Sequence, residues 1–207
     1  MMCGMPITLY DGQRSPHARK VRLLAAELDL PLTRVAPDFQ KGELRTPEFL
    51  AKNPNGRIPT LDDDGFVLWE SAAILKYLAG KRPERGFAPS DPIEQAHIDQ
   101  WLFWWASDPE AAFTRLLWEK RIKPFLGKGG NDPAIVADAE ATFDRFLPVL
   151  DNQLAGKDYV LGKLTIVDFA IAPVLDIVSF VNIDLARYSN ITAWLERLRA
   201  KPYWKDA

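Results

Sequence analysis

At 207 residues the chain is long enough for one large domain or two small ones with a well-buried core. Its composition, 47% hydrophobic and 26% charged, excludes a disordered chain. A net charge of −2, with basic and acidic residues interspersed, excludes a polybasic nucleic-acid face and a solvating acidic tail. Cys3 is the only cysteine, so no intramolecular disulfide forms, as expected in a reducing compartment. The opening MMCGMPITLY lacks the basic and apolar regions of a secretory signal, and the most apolar run, Phe169 to Leu175, is too short to span a bilayer. A cytoplasmic protein with neither nucleic-acid nor membrane partners is expected.

Ile7–Tyr10 reads as a short strand closed by the turn signal Asp11-Gly12. Val21, Leu24, Ala25 and Leu28 then form one apolar helical stripe. Leu32–Val35 suits a second strand, and a polar loop follows around Lys41-Gly42. Thr46-Pro47-Glu48 has a cap followed by Pro at the first helical position, opening a short helix through Lys52. Asn53-Pro54-Asn55-Gly56 is turn chemistry, after which Ile58–Leu61 and Phe66–Trp69 flank an Asp-rich turn as a β-hairpin. A helix from about Ser71 to Ala79 completes the order βαβ, then αββα.

Beyond this point only helical periodicity occurs, in the stripes Ile98, Trp101, Leu102, Trp105; Phe143, Phe146, Leu147, Leu150; and Ile191, Trp194, Leu195, Leu198. Lys128–Pro133 separates helices. The pattern is α/β followed by all-α. It predicts a first domain over residues 1–81, a linker rich in Pro, Gly and charge over 82–91, and a helical domain over 92–207.

Several segments in fixed order carry a resemblance. They are Ser15-Pro16-His17-Ala18-Arg19-Lys20-Val21, Asn53-Pro54-Asn55-Gly56-Arg57-Ile58-Pro59-Thr60-Leu61 and Leu68-Trp69-Glu70-Ser71-Ala72-Ala73-Ile74, then Ala96-His97-Ile98-Asp99-Gln100-Trp101-Leu102 and Gly162-Lys163-Leu164-Thr165-Ile166-Val167-Asp168-Phe169. Each is weak alone; together they cover nearly the whole chain. The chain resembles the glutathione transferase family, most nearly its serine-using phi- and theta-like or related bacterial members. The resemblance implies a thioredoxin-like N-terminal domain that binds glutathione, a helical C-terminal domain that shapes an electrophile pocket, and a homodimer. Glutathione enters as a cosubstrate, and neither a metal nor a redox cofactor is implied.

Conjugation needs the thiolate of glutathione, and a free thiol of pKa roughly 8.5 is only a few per cent ionised near neutrality. Lowering that pKa by about two units takes roughly 2.7 kcal/mol, and one hydrogen bond to a charged group supplies about 1.5–3 kcal/mol. Ser15, between the first strand and the first helix, suits either a thiolate donor or a plain helix N-cap. Its place four residues before Arg19 matches the family's catalytic serine. Tyr10 is the rival, because some members use a tyrosine at the end of this strand, although a longer loop follows here. His17 has no role in the family motif and reads as a loop histidine. Members that use cysteine for thiol–disulfide exchange would carry it at position 15, and no Cys-x-x-Cys occurs.

In the family the Ile58-Pro59 bond is cis and the backbone of Ile58 pairs with the cysteinyl part of glutathione like an added strand; an ordinary trans Pro at a strand start is the alternative. Arg57 replaces a common Gln or Lys and is expected over the glycyl end. By resemblance Glu70 binds the γ-glutamyl ammonium, and the Ser71 hydroxyl and N–H take its α-carboxylate, as suits a helix N-terminus beside an acid; a plain cap with an acidic first turn is the alternative. Lys41 is a candidate for the glycyl carboxylate, with a solvated loop lysine as the other reading. Thr165 to Asp168 is a capping box with Asp in place of Glu or Gln, flanked by Leu164 and Phe169 as a staple, and it is expected to serve folding alone.

The aromatic helix Trp101–Trp118 offers Trp104, Trp105, Phe113 and Leu116 as pocket walls, in competition with a core role. The leading expectation is a transferase that attacks electrophilic carbon. The alternatives are a glutathione-dependent peroxidase or disulfide reductase in the same pocket, and a noncatalytic binding module.

Overall fold

The computed structural model describes residues 7–205, so Cys3 lies outside the described residues. The chain divides into two compact units, one running to Pro89 and taking in Tyr203, the other Ser90–Pro202. The tail from Tyr203 therefore departs from the expected extent of the helical domain. Its contacts explain why: Arg19 of the first helix donates to Trp204 O at 2.9 Å and lies over the Trp204 ring, and the Tyr203 hydroxyl donates to Glu27.

In the first unit, β1 (Ile7–Tyr10), α1 (Pro16–Glu27), β2 (Leu32–Val35), α2 (Pro47–Lys52), β3 (Thr60–Asp63), β4 (Phe66–Trp69) and α3 (Ser71–Gly80) follow in the expected order. The sheet runs β2-β1-β3-β4, with β1 parallel to β2 and antiparallel to β3. Helix α1 begins where Ser15 caps it and Pro16 supplies a preset φ. Its predicted stripe of Val21, Leu24, Ala25 and Leu28 is buried, but so are Ala18, Lys20, Arg22 and Leu23. The helix packs along α3, and its polar side is covered where Arg22 pairs with the buried Asp11. Strand β3 starts at Thr60, two residues later than Ile58, because Pro59 has no N–H for the ladder. The hairpin turn has Asp64 at φ 54 and Gly65 at φ 87, the paired positive values of a type I′ turn.

In the second unit, α4 (Pro92–Ser107) and α5 (Pro109–Leu117) replace the single aromatic helix expected over 101–118. Pro109 cannot donate to the preceding turn, and the chain breaks at Asp108 (φ −121, ψ −67). A π-helical stretch Trp118–Ile122 and one turn, α6 (Lys123–Phe125), follow. Helices α7 (Pro133–Leu154), α8 (Ile166–Leu175) and α9 (Ser189–Arg199) complete the unit; α5 packs along α7, α7 along α9, and α4 against α8. Every residue of α8 is buried, which explains why Phe169 to Leu175 is the most apolar run: it is a central helix covered on all sides. No helix among the described residues is long and apolar enough to cross a membrane.

The capping box forms as expected and reaches further than a cap. Asp168 Oδ2 accepts from Thr165 N at 2.8 Å and from Thr165 Oγ1 at 3.3 Å, while Oδ1 accepts from Val160 N at 3.1 Å and Trp194 Nε1 at 3.0 Å. One buried carboxylate thus ties the start of α8 to the preceding loop and to α9.

Candidate active site

The ladder register brings three chain segments together. Tyr10 pairs with Thr60, and Thr60 with Trp69, so the C-terminal ends of β1 and β4 and the N-terminal end of β3 lie side by side. Loop 11–15, Ile58-Pro59 and Glu70-Ser71 therefore leave the sheet at the same end. The approach is close: a Cβ on Gly12 would lie 2.7 Å from Ile58 Cδ1 and 3.5 Å from the Phe39 ring. Only glycine fits there without displacement.

Ser15 is half-buried, and its Oγ accepts from Ala18 N at 3.2 Å while its N donates to Gly12 O at 2.8 Å. Capping and thiolate donation are compatible, because the cap uses a lone pair of the hydroxyl and leaves its proton for another acceptor. The positive end of the α1 dipole favours an anion at the same place. Tyr10 is differently engaged. Its ring stands edge-on to Phe49 of α2 at 5.5 Å, and Lys52 Nζ lies 5.6 Å over it. Lys52 also holds Asp62 at 2.5 Å, a bond that raises the ammonium above its ordinary range and keeps it charged. His17 is half-buried in the first turn of α1.

The cis bond at Ile58-Pro59 matches the expectation for this loop. The loop is framed by a residue that sequence reasoning treats only as turn chemistry. Asn53 is buried; its Nδ2 donates to Arg57 O at 2.9 Å and to Thr60 Oγ1 at 3.0 Å, and its Oδ1 accepts from Asn55 N at 3.0 Å. The Asn-Pro-Asn-Gly spacing signals a turn, but only the fold reveals an amide directed into it. Arg57 is exposed. Lys41 is 75% exposed and 3.3 Å from Asp38, whose carboxyl the Lys41 N–H holds below its ordinary range. Such a solvated pair exchanges readily for another carboxylate.

Glu70 has a positive φ of 72° with ψ 114°, a conformation that costs a non-glycine residue about 1–3 kcal/mol and that concentrates at functional sites. It is exposed, its carbonyl starts α3 by accepting from Ile74 N at 3.0 Å, and its carboxylate makes no cap. The half-buried Ser71 is the first helical residue, so the first-turn N–H groups of α3 face outward beside a carboxylate. This combination complements a zwitterion: the acid matches an ammonium, and the helix N-terminus matches a carboxylate.

The helical residues offered as pocket walls divide. Trp105, Phe113 and Leu116 are buried in the core of the second unit: Phe113 and Leu116 stand on α5, which packs along α7, and Trp105 on α4, which packs against α5 and α8. Trp104 is half-buried, edge-on to Trp101 at 4.9 Å and to Phe146 at 5.9 Å. Aromatic residues occupy both faces of these helices, with Phe103 and Trp118 exposed, so periodicity does not distinguish core from wall. Among the described residues no group of three or more His, Cys, Asp or Glu side chains could hold a metal ion.

The chain matches the family model "Glutathione S-transferase, N-terminal domain" over residues 5–80 and "Glutathione S-transferase, C-terminal domain" over residues 110–202. It is 31% identical to glutathione S-transferase D7 of Drosophila melanogaster, over 97% of this chain and 88% of that protein. It is 32% identical to glutathione S-transferase hmp2 of Hypomyces subiculosus, over 98% of both. The structure of Ure2p in complex with glutathione superposes with a TM-score of 0.87 at 26% identity, over 98% of this chain and 97% of that one. With both halves of the chain matched and two relatives more than 30% identical over nearly its whole length, the chain belongs to the glutathione S-transferase family.

Proposed function

We propose that this chain is a glutathione transferase in which Ser15 donates a hydrogen bond to the glutathione sulfur and holds it as the thiolate. The observation that carries this reading is the convergence of the Ser15 loop, cis-Ile58-Pro59 and Glu70-Ser71 at one end of the sheet. The backbone of Ile58 pairs with the cysteinyl part of glutathione. Glu70 takes the γ-glutamyl ammonium, Ser71 and the α3 N–H groups take the α-carboxylate, and Arg57 and Lys41 serve the glycyl carboxylate. The thiol proton passes to solvent. The sulfur lone pair then forms a C–S bond with an electrophilic carbon; a halide leaves with its bonding pair, or an activated double bond accepts the electrons and afterwards a proton. The second substrate is a hydrophobic electrophile, and the enzyme works as a cytoplasmic homodimer.

Glutathione binding tests the reading directly. Glu70→Gln keeps the size of the side chain but removes the charge opposite the ammonium, so affinity falls by about ten- to a hundredfold, the equivalent of roughly 1.5–3 kcal/mol for a charged hydrogen bond. Calorimetry measures this, and unchanged affinity would remove Glu70 from the site. A panel of aryl halides, enones, hydroperoxides and mixed disulfides identifies the second substrate, and turnover of hydroperoxides or disulfides alone would replace transfer with reduction.

A further inference from the structure

Behind the Ser15 loop lies a charge cluster that the glutathione-binding residues do not use. Asp11, the first residue after β1, is buried, and its two oxygens serve two arginines: Oδ1 accepts from Arg22 Nη1 at 2.5 Å, and Oδ2 from Arg34 Nε at 2.7 Å. Arg22 is on α1 and buried; Arg34 is on β2 and 44% exposed. The same Arg22 guanidinium reaches into the loop, where Nη2 donates to Gln13 O at 3.3 Å. The start of the loop is also tied to the sheet, because Asp11 N donates to Val35 O at 2.8 Å. Two residues beyond Gln13 stands Ser15, whose N closes the turn onto Gly12 O.

Stability alone does not account for this arrangement. Burying charges is costly, and a well-packed apolar group of the same volume often holds a helix on a sheet equally well. Burial lowers the Arg22 pKa against the opposing pull of Asp11, and Arg22 Nε is buried with no hydrogen-bond partner. What an apolar group does not provide is direction. A planar guanidinium with fixed donors sets the Asp11 carboxylate and the Gln13 carbonyl in one geometry. An active-site hydroxyl displaced by even about 1 Å loses much of its effect, so the value of such a brace lies in placing Ser15.

We propose that Arg22, Asp11 and Arg34 are positioning residues that hold loop 11–15 so that the Ser15 hydroxyl meets the glutathione sulfur. The proposal rests on Ser15 as the thiolate donor. Arg22→Lys keeps the charge but loses the second donor that grips Gln13. Arg34→Gln, at a half-exposed site, removes one partner of Asp11 and keeps the test decisive should Arg22→Lys fail to fold. The pKa of enzyme-bound glutathione is read from ultraviolet thiolate absorbance, with kcat and KM, in both variants, in Ser15→Ala, and in Ser15→Ala combined with Arg22→Lys. Arg22→Lys is expected to raise the bound-thiol pKa by about one unit and to lower kcat at pH 7 about threefold, with the KM for glutathione within about twofold. Arg34→Gln shifts the thiol less, in the same direction. Adding Arg22→Lys to Ser15→Ala produces no further rise, as for residues that act as a unit.

Lowered thermal stability with unchanged thiol ionisation in every folded arginine variant would overturn the proposal. So would an equal rise in the Ser15→Ala background, which would mean that the arginines act on the sulfur by their field and not through Ser15. If Ser15→Ala itself leaves the thiol unchanged, the donor assignment fails and the proposal fails with it, in an arm that contains no arginine change.

Discussion

Ser15→Ala is expected to raise the pKa of enzyme-bound glutathione by about two units and to lower turnover at pH 7 about 25-fold, with the KM for glutathione little changed. The magnitude follows from ionisation. A thiol held near pKa ~6.5 is about three-quarters thiolate at pH 7, whereas one returned to ~8.5 is about 3% thiolate. The deficit should therefore shrink toward pH 9, where the unassisted thiol also ionises. The same mutation removes the α1 cap formed with Ala18 N, at a cost of about 0.5–2 kcal/mol in stability. Ser15→Thr retains a hydroxyl and should recover part of both losses. Tyr10→Phe, which keeps the ring against Phe49, should leave thiol ionisation near wild type. A thiol pKa that moves in Tyr10→Phe and stays in Ser15→Ala would exchange the two roles.

Asp168→Ala is expected to cost about 3–5 kcal/mol of unfolding free energy, because it leaves Val160 N, Thr165 N, Thr165 Oγ1 and Trp194 Nε1 buried without their acceptor. Urea denaturation at fixed protein concentration measures it, and a loss below ~1 kcal/mol would show that water replaces the carboxylate. The same residue carries a pH signature. Burial pushes the Asp168 carboxyl up to about 6 from 3.8, against the opposing pull of its four donors. A raised carboxyl pKa disfavours the charged form in the fold, so its stabilising contribution is complete below about pH 4 and is lost as pH rises through about 6. Relative to Asp168→Asn, which does not titrate, wild type should lose up to about 3 kcal/mol of advantage between pH 4 and 7. A flat difference would mean that the hydrogen bonds outweigh burial.

Local chemistry was legible wherever one short signal decides the structure. Thr46-Pro47, Ser15-Pro16 and Thr165 to Asp168 announce helix starts, and β1, β2 and β4 lie at the residues their β-rich runs indicate. The features that escaped depend on partners distant in sequence. Nothing in the sequence marks Arg22 until Asp11, just past β1, meets it in the fold, and Asn53 reads as a turn former until Thr60 and the Arg57 carbonyl close around it. Trp105, Phe113 and Leu116 read equally well as pocket wall or core, because an apolar stripe looks the same against a neighbouring helix as against a ligand; α5 and α8 cover the first and α7 the other two. The backbone of Glu70 could not be anticipated either, because nothing in Trp69-Glu70-Ser71 marks an acid as the residue that turns with positive φ.

The ladder that aligns Tyr10, Thr60 and Trp69 delivers Ile58-Pro59 and Glu70 directly at its end, whereas Ser15 stands further along the chain from Tyr10, on the cap of α1. Recognition and reactivity are thus separable in the architecture. A helix cap accepts several small polar residues at little cost in stability, so the group at position 15 is exchangeable while Ile58, Glu70 and Ser71 keep their places. The scaffold can change what it does to the sulfur of glutathione without learning again how to hold it, and position 15 is the natural starting point for redirecting its chemistry.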